Sequence, residues 1–228
     1  VINDASRGRS DIMNILHMFF AIGAFTAPFI VSMLSRSNIS WRYSMLTLSI
    51  MSTILFVVFL ITPISPHHKE KEPEDKTAKS VHKNMRYYIF MALLFLYVGT
   101  ENSINGWIVT YLDELDIMNR ISPQDILSIF WVAIILGRLI SAGISKYVSR
   151  EVLILAFSIG GGLSFVLFLF TKNPILIAFW VFLMGLFFAG IFPTIIANSG
   201  PIIQGSGAAA GIMLSFGSLG GAVFPYIN

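Results

Sequence analysis

Apolar residues come in runs about twenty long, without strict alternation, between short polar connectors. A helix needs roughly 20 residues to cross a bilayer, and the lack of alternation argues against barrel strands. The pattern predicts helices over about 12–34, 41–61, 85–112, 126–145, 152–170, 175–197 and 207–227. The expected fold is an all-α membrane protein with about seven transmembrane helices. Ser122 followed by Asp125 predicts a capping box, with Pro123 at the first helical position. Asn198 reads as a cap near the end of the sixth span. It shares an uncharged connector with Ser199 and Gln204.

One stretch breaks this rhythm. Residues 63–86 hold five Lys, one Arg, four acids, three His and three Pro, and read as a solvated linker. His67, His68 and His82 lie there with no ordered scaffold, so no metal site is predicted. Composition agrees with the pattern: of 228 residues, 55% are hydrophobic and 12% charged, against about 25% charged in soluble domains. The net charge of +3 comes from basic residues beside apolar spans, which read as topology signals and not as a nucleic-acid surface. With the linker in the cytoplasm, ten Lys and Arg lie inside and four outside, and Arg138 lies within a span. There is no Cys, which excludes disulfides and thiol chemistry. The chain opens on Val1 and ends on an apolar run, so truncation at both ends is expected.

The chemistry concentrates in the third span, where Tyr97–Tyr111 reads YVGTENSINGWIVTY. It sets Glu101, Asn102 and Asn105 deep in an apolar segment. An ionisable group at that depth costs about 2.5–3.5 kcal/mol on insertion scales and persists when a partner, a wet cavity or a ligand offsets the cost. At 100° per residue, all three share one face with Leu94 and Val98. Trp107 lies opposite, unless Gly106 unwinds the helix. Two readings of Glu101 stand open. It faces a cavity, binding solute or a coupling H+ or Na+, or it pairs with Arg138, whose depth in the next span is compatible. Asn14 and His17, one turn apart in the first span, are further candidates, with packing the expected role for His17. Trp131 and Trp180 read as packing or interfacial anchors, and Gly160–Gly162, Gly185 and Gly190 as sites of close helix approach. No phosphate loop, H-E-x-x-H or Ser/His/Asp spacing is present, so no enzyme is predicted.

The first and last spans also resemble each other. FFAIGAFTAPFI (Phe19 to Ile30) aligns without gaps on FGSLGGAVFPYI (Phe216 to Ile227), matching Phe19, Gly23, Pro28 and Ile30 to Phe216, Gly220, Pro225 and Ile227. Parallel repeats flanking a charged cytoplasmic linker describe the two halves of a major facilitator transporter. LHMFFAIGAFTAPFI, WRYSM and YVGTENSINGWIVTYL resemble the branch of fucose permeases and sodium-dependent glucose transporters. That branch carries a G-x-E-x-x-x-x-x-W-x-x-x-Y pattern, matched by Gly99, Glu101, Trp107 and Tyr111. Gly137-Arg138 resembles its eighth helix. The loop motif G-x-x-x-D-R-x-G-R keeps only Gly143 and Arg150.

The resemblance implies helices five to eleven of twelve. Residues 1–62 would end the N-terminal half, 63–86 would be the linker, and 87–228 would open the C-terminal half. It implies a multi-pass protein of the plasma membrane moving a sugar or similar small polar solute by alternating access, coupled to H+ or Na+. Its partners are the lipid bilayer and that solute, with no nucleic acid and no cofactor. Glu101, Asn102, Asn105, Trp107, Arg138, Asn14 and His17 are the expected solute- or ion-handling residues. The alternatives are a transport-incompetent, transporter-derived fragment, and a seven-helix receptor that lacks the expected Lys, N-P-x-x-Y and D-R-Y features.

Overall fold

The computed structural model describes residues 12, 15, 17–26, 30, 40–61, 81–115, 121–203 and 206–227. Asn14 and linker residues 62–80 lie outside them. Every element among the described residues is a helix: α1 (His17–Thr26), α2 (Trp41–Ile61), α3 (Met85–Glu114), α4 (Pro123–Ile144), α5 (Arg150–Leu169), α6 (Pro174–Phe188), α7 (Ile191–Ile203) and α8 (Gly207–Ile227). The chain divides into two compact units, Val1–Ile22 with Glu74–Asn228, and Gly23–Pro73.

In the second unit, α2 is largely apolar, and its described side chains are exposed. Thr47, Ser49 and Thr53 return their hydroxyls to carbonyls one turn back, at 2.8, 2.8 and 2.9 Å. Beyond Arg42 in its first turn, a helix this apolar whose Thr and Ser hydroxyls bond its own backbone suits a lipid surround.

In the first unit, α4, α5, the α6–α7 stretch and α8 are each long and apolar enough to cross a membrane. The 30-residue α3 is the least apolar of the long helices because it carries the Thr100–Asn105 block. Its start is set by Asn84, whose side chain accepts from Arg86 N at 3.0 Å. The capping box of α4 forms in both directions at 3.2 Å, with Pro123 in the first turn. Asn173 caps α6 by accepting from Ile175 N and Leu176 N.

Glycines set the helix spacing. A Cβ on Gly185 would sit 2.6 Å from Phe130 O, and one on Gly137 2.5 Å from Leu186 O, so α4 and α6 touch backbone to backbone at two levels. Gly160 and Gly161 receive the rings of Phe187 and Phe188 from α6. Helices α3 and α8 run parallel. Tyr87 OH donates to Ala209 O at 2.8 Å near their starts, and Trp107 Nε1 donates to Pro225 O at 2.9 Å near their ends.

Two expectations are corrected here. The sixth span is two helices, broken at Ala189-Gly190, and the second continues to Ile203. Pro193 has no N–H for Ala189 O, and Gly190 lets Phe157 and Ser141 press against the break. Asn198 is therefore no cap. It lies inside α7 and donates to Glu151 Oε1 at 3.2 Å. Pro201 also sits inside α7. It cannot donate to Ala197 O, and Arg150 Nη1 supplies that donor from α5 at 3.1 Å. The helix outlasts its proline because an arginine fills the missing bond.

Candidate functional site

Glu101 sits midway along α3, which stays helical through Gly106, so the helix is not unwound there. Tyr97, one turn earlier on the same face, donates its hydroxyl to Glu101 Oε1 at 2.9 Å. Its ring is 6% exposed and held by Phe188 and Phe192, with centroids 5.8 and 6.3 Å away. Those two phenylalanines flank the α6–α7 break.

Arg138 approaches from α4 and is 3% exposed. Its guanidinium interacts electrostatically with Tyr97 and Glu101 and comes within hydrogen-bonding range of the Tyr97 hydroxyl. No direct Glu101–Arg138 ion pair forms among the described residues. Arg138 Nε and Nη1 are buried without a hydrogen-bond partner, and Phe20 of α1 covers the guanidinium, its ring centroid 5.9 Å from Cζ. Phe20 also meets Trp131 edge-on at 6.4 Å. The ion-pair partner expected for Glu101 is thus within electrostatic reach, but the two charges are not joined directly.

The other predicted residues distribute differently. Asn105 remains beside Glu101. Its Nδ2 donates to Glu101 O at 2.9 Å, and its Oδ1 is buried without a partner. Asn102 turns away to α8, where its amide lies against Gly221 and its Nδ2 donates to Val98 O at 2.9 Å. The shared face expected for Glu101, Asn102, Asn105 and Val98 is therefore split. Val98 and Asn102 lie about 60° and 100° round the helix from Glu101, enough to put them against a different neighbour. Trp107 does not join Glu101 either and reaches the end of α8. It bonds Pro225 O and, with Tyr111, Phe165, Phe168 and Phe224, lines an aromatic groove of about 650 Å³ that does not include Glu101. His17 packs edge-on against Phe192 with centroids 4.9 Å apart, which joins α1 to the same aromatic cluster. Asn14 is outside the described residues.

Sequence reasoning missed Tyr97, although its i, i+4 spacing to Glu101 was available. It also missed Ser141 and Thr194, whose hydroxyls are buried without partners near the α6–α7 break. The arrangement offers a carboxylate with one tyrosine donor, a cation with open donors and an amide with an open acceptor. Aromatic rings surround them. A few polar groups in an apolar setting make a common pattern for small polar ligands.

The Major Facilitator Superfamily model matches residues 3–225. The glucose/mannose transporter GlcP of Bacillus subtilis is 24% identical over 229 residues, covering 94% of this chain and 56% of the relative. A glucose/galactose transporter of Brucella abortus is 28% identical over 197 residues, covering 82% and 46%. A TsgA homolog of Buchnera aphidicola is 23% identical over 205 residues, covering 89% and 52%. The chain spans about half the length of the curated relatives it matches. No solved structure matches it.

Proposed function

This chain belongs to the Major Facilitator Superfamily, and on that premise we propose that it forms part of a secondary-active transporter for a sugar or similar small polar solute, working by alternating access and coupled to H+ or Na+. The superfamily is one of transporters and not of enzymes, and the all-α membrane architecture agrees with it. Two of the relatives are named glucose transporters, which supports a hexose-like solute. In this reading the protein is multi-pass in the cell membrane. The charged linker is cytoplasmic, and residues 87–228 open the C-terminal half.

The observation that carries the reading is the unjoined Glu101 and Arg138. Apolar surroundings normally drive opposite charges together, because an unpaired buried charge is expensive. Here Arg138 keeps two buried donors open, and Glu101 accepts a hydrogen bond from a neutral tyrosine. A transport site needs such groups, able to engage solute or ion in one state and each other in another. Glu101 handles solute or coupling ion, Asn105 and Arg138 stand beside it, and His17 reaches the same cluster through Phe192.

The test is hexose uptake by the full-length gene product carrying Glu101→Gln. Charged hydrogen bonds are worth about 1.5–3 kcal/mol, so accumulation should fall about tenfold or more at equal expression. If exchange of solute down its gradient survives, Glu101 serves the coupling ion; if binding is lost as well, it touches solute. Wild-type accumulation by this variant would remove Glu101 from the mechanism.

A further inference from the structure

Resting on that reading of Glu101, we infer that Tyr97 is a positioning residue: its hydroxyl holds the Glu101 carboxylate off Arg138 and so keeps it available to the transported solute or ion. Three observations meet here. The hydroxyl donates to Oε1 at 2.9 Å along an i, i+4 pair, so helix geometry sets its reach. The ring is buried between Phe188 and Phe192, on either side of the α6–α7 break, which fixes where the hydroxyl points. Arg138 lies within electrostatic reach of both residues yet keeps Nε and Nη1 unpartnered.

Tyr97 stands between the two charges: its hydroxyl donates to Glu101 and also meets the Arg138 guanidinium, so carboxylate and guanidinium share it instead of meeting directly. Among the described residues, Tyr97 is the side chain that donates to the carboxylate. A packing role alone accounts for the ring against Phe188 and Phe192, but it assigns nothing to the hydroxyl. A bond to Tyr97 restrains Glu101 more weakly than a buried ion pair would, because the tyrosine carries no charge. A polar solute can therefore displace the hydroxyl and take its place on the carboxylate.

Tyr97→Phe removes the hydroxyl and keeps the ring. In the full-length protein, Glu101 should then swing onto Arg138. The half-saturation concentration for glucose uptake should rise about tenfold, with the maximal rate changed less than about twofold. A second readout does not depend on transport. A hydrophobic carbodiimide modifies carboxyls in apolar surroundings, and pairing with arginine shields them. Modification of Glu101, followed by mass spectrometry on the purified protein, should fall several-fold in Tyr97→Phe. It should return when Arg138→Gln is added. A merely structural tyrosine would not give that return.

Unchanged labelling in Tyr97→Phe overturns the inference. So does a loss that Arg138→Gln fails to restore, and so does a wild-type Glu101 that already resists the reagent. If Glu101→Gln transports normally while the labelling pattern holds, the functional reading fails and the positioning geometry stands. If Glu101→Gln is impaired while Tyr97→Phe is labelled and transports like wild type, the positioning role fails and the functional reading stands.

Discussion

Along its α8 side, α3 is met by glycines; along its α4 side it is met by an arginine. Gly217, Gly220 and Gly221 of α8 lie against Leu94, Phe95, Val98 and Asn102, and Gly99 of α3 receives the Phe224 ring in return. That seam is closed by backbone contact and aromatic packing, with Phe95 meeting Phe216 and Phe224 at 5.3 and 5.5 Å. The α4 side carries Tyr97, Glu101 and Arg138, and buried donors on it remain open. Helix association in a membrane depends on close packing, because lipid offers apolar surface as good as the neighbouring helix does. The glycine seam meets that need and leaves nothing to rearrange. The polar side does the reverse: it sacrifices pairing and keeps groups that a ligand can use. One helix thus serves as both a fixed strut and a reactive surface, the two roles separated by about a quarter turn.

The sharpest break of the comparison is Gly220→Val. A Cβ there would run into the Phe95 carbonyl, and backbone cannot swing aside as a side chain can. Overpacking costs about 1–3 kcal/mol and occasionally more, and this site belongs at the upper end. The full-length protein in detergent should unfold several degrees lower, with reduced expression. A variant as stable as wild type would show that α3 and α8 are not locked at this level.

Trp107→Phe probes the same seam at its end. The indole N–H satisfies Pro225 O in the last turn of α8, one of the four carbonyls a helix leaves without an internal partner. Losing one such bond should cost about 1 kcal/mol of stability. Solute affinity should stay within about twofold of wild type if Trp107, at 46% exposed, belongs to the seam and not to the solute site. A large affinity loss at unchanged stability would move it to the other side of the comparison.

The spans were readable because a bilayer fixes helix length, and the α4 cap was readable because Ser122 and Asp125 act on their nearest backbone N–H groups. The close contacts at Gly160, Gly161, Gly185 and Gly190 were also anticipated, though Gly162, with nothing within 4 Å, does not take part, and the Gly217, Gly220 and Gly221 seam was not foreseen. What escaped the sequence was set by neighbours distant along the chain. Pro201 looked like a connector residue until Arg150, 47 residues away along the chain from Ala197, supplied the missing donor. The depths of Glu101 and Arg138 were compatible, but depth does not say what lies between two side chains. Tyr97 was within local reach and went unweighed because a tyrosine in an apolar run reads as packing.

Asn102→Ala should have the smallest effect and gives the finest test of the division. Sequence spacing set Asn102 beside Glu101, whereas the helix turns it toward Gly221 of α8. Its Nδ2 is already spent on Val98 O, one turn back on its own helix, at 2.9 Å. That bond holds no second helix, and alanine favours the helical backbone, so stability should shift by no more than about 0.5 kcal/mol in either direction. Hexose uptake should stay within about twofold of wild type. Asn105, one turn beyond Glu101 on the polar side, differs because its Oδ1 is buried and open. If Asn102→Ala instead cut uptake about tenfold with stability intact, the α8 seam would have to part during transport and expose that amide. The fixed strut would then be a moving surface, and the contrast between the two sides of α3 would hold for one state only.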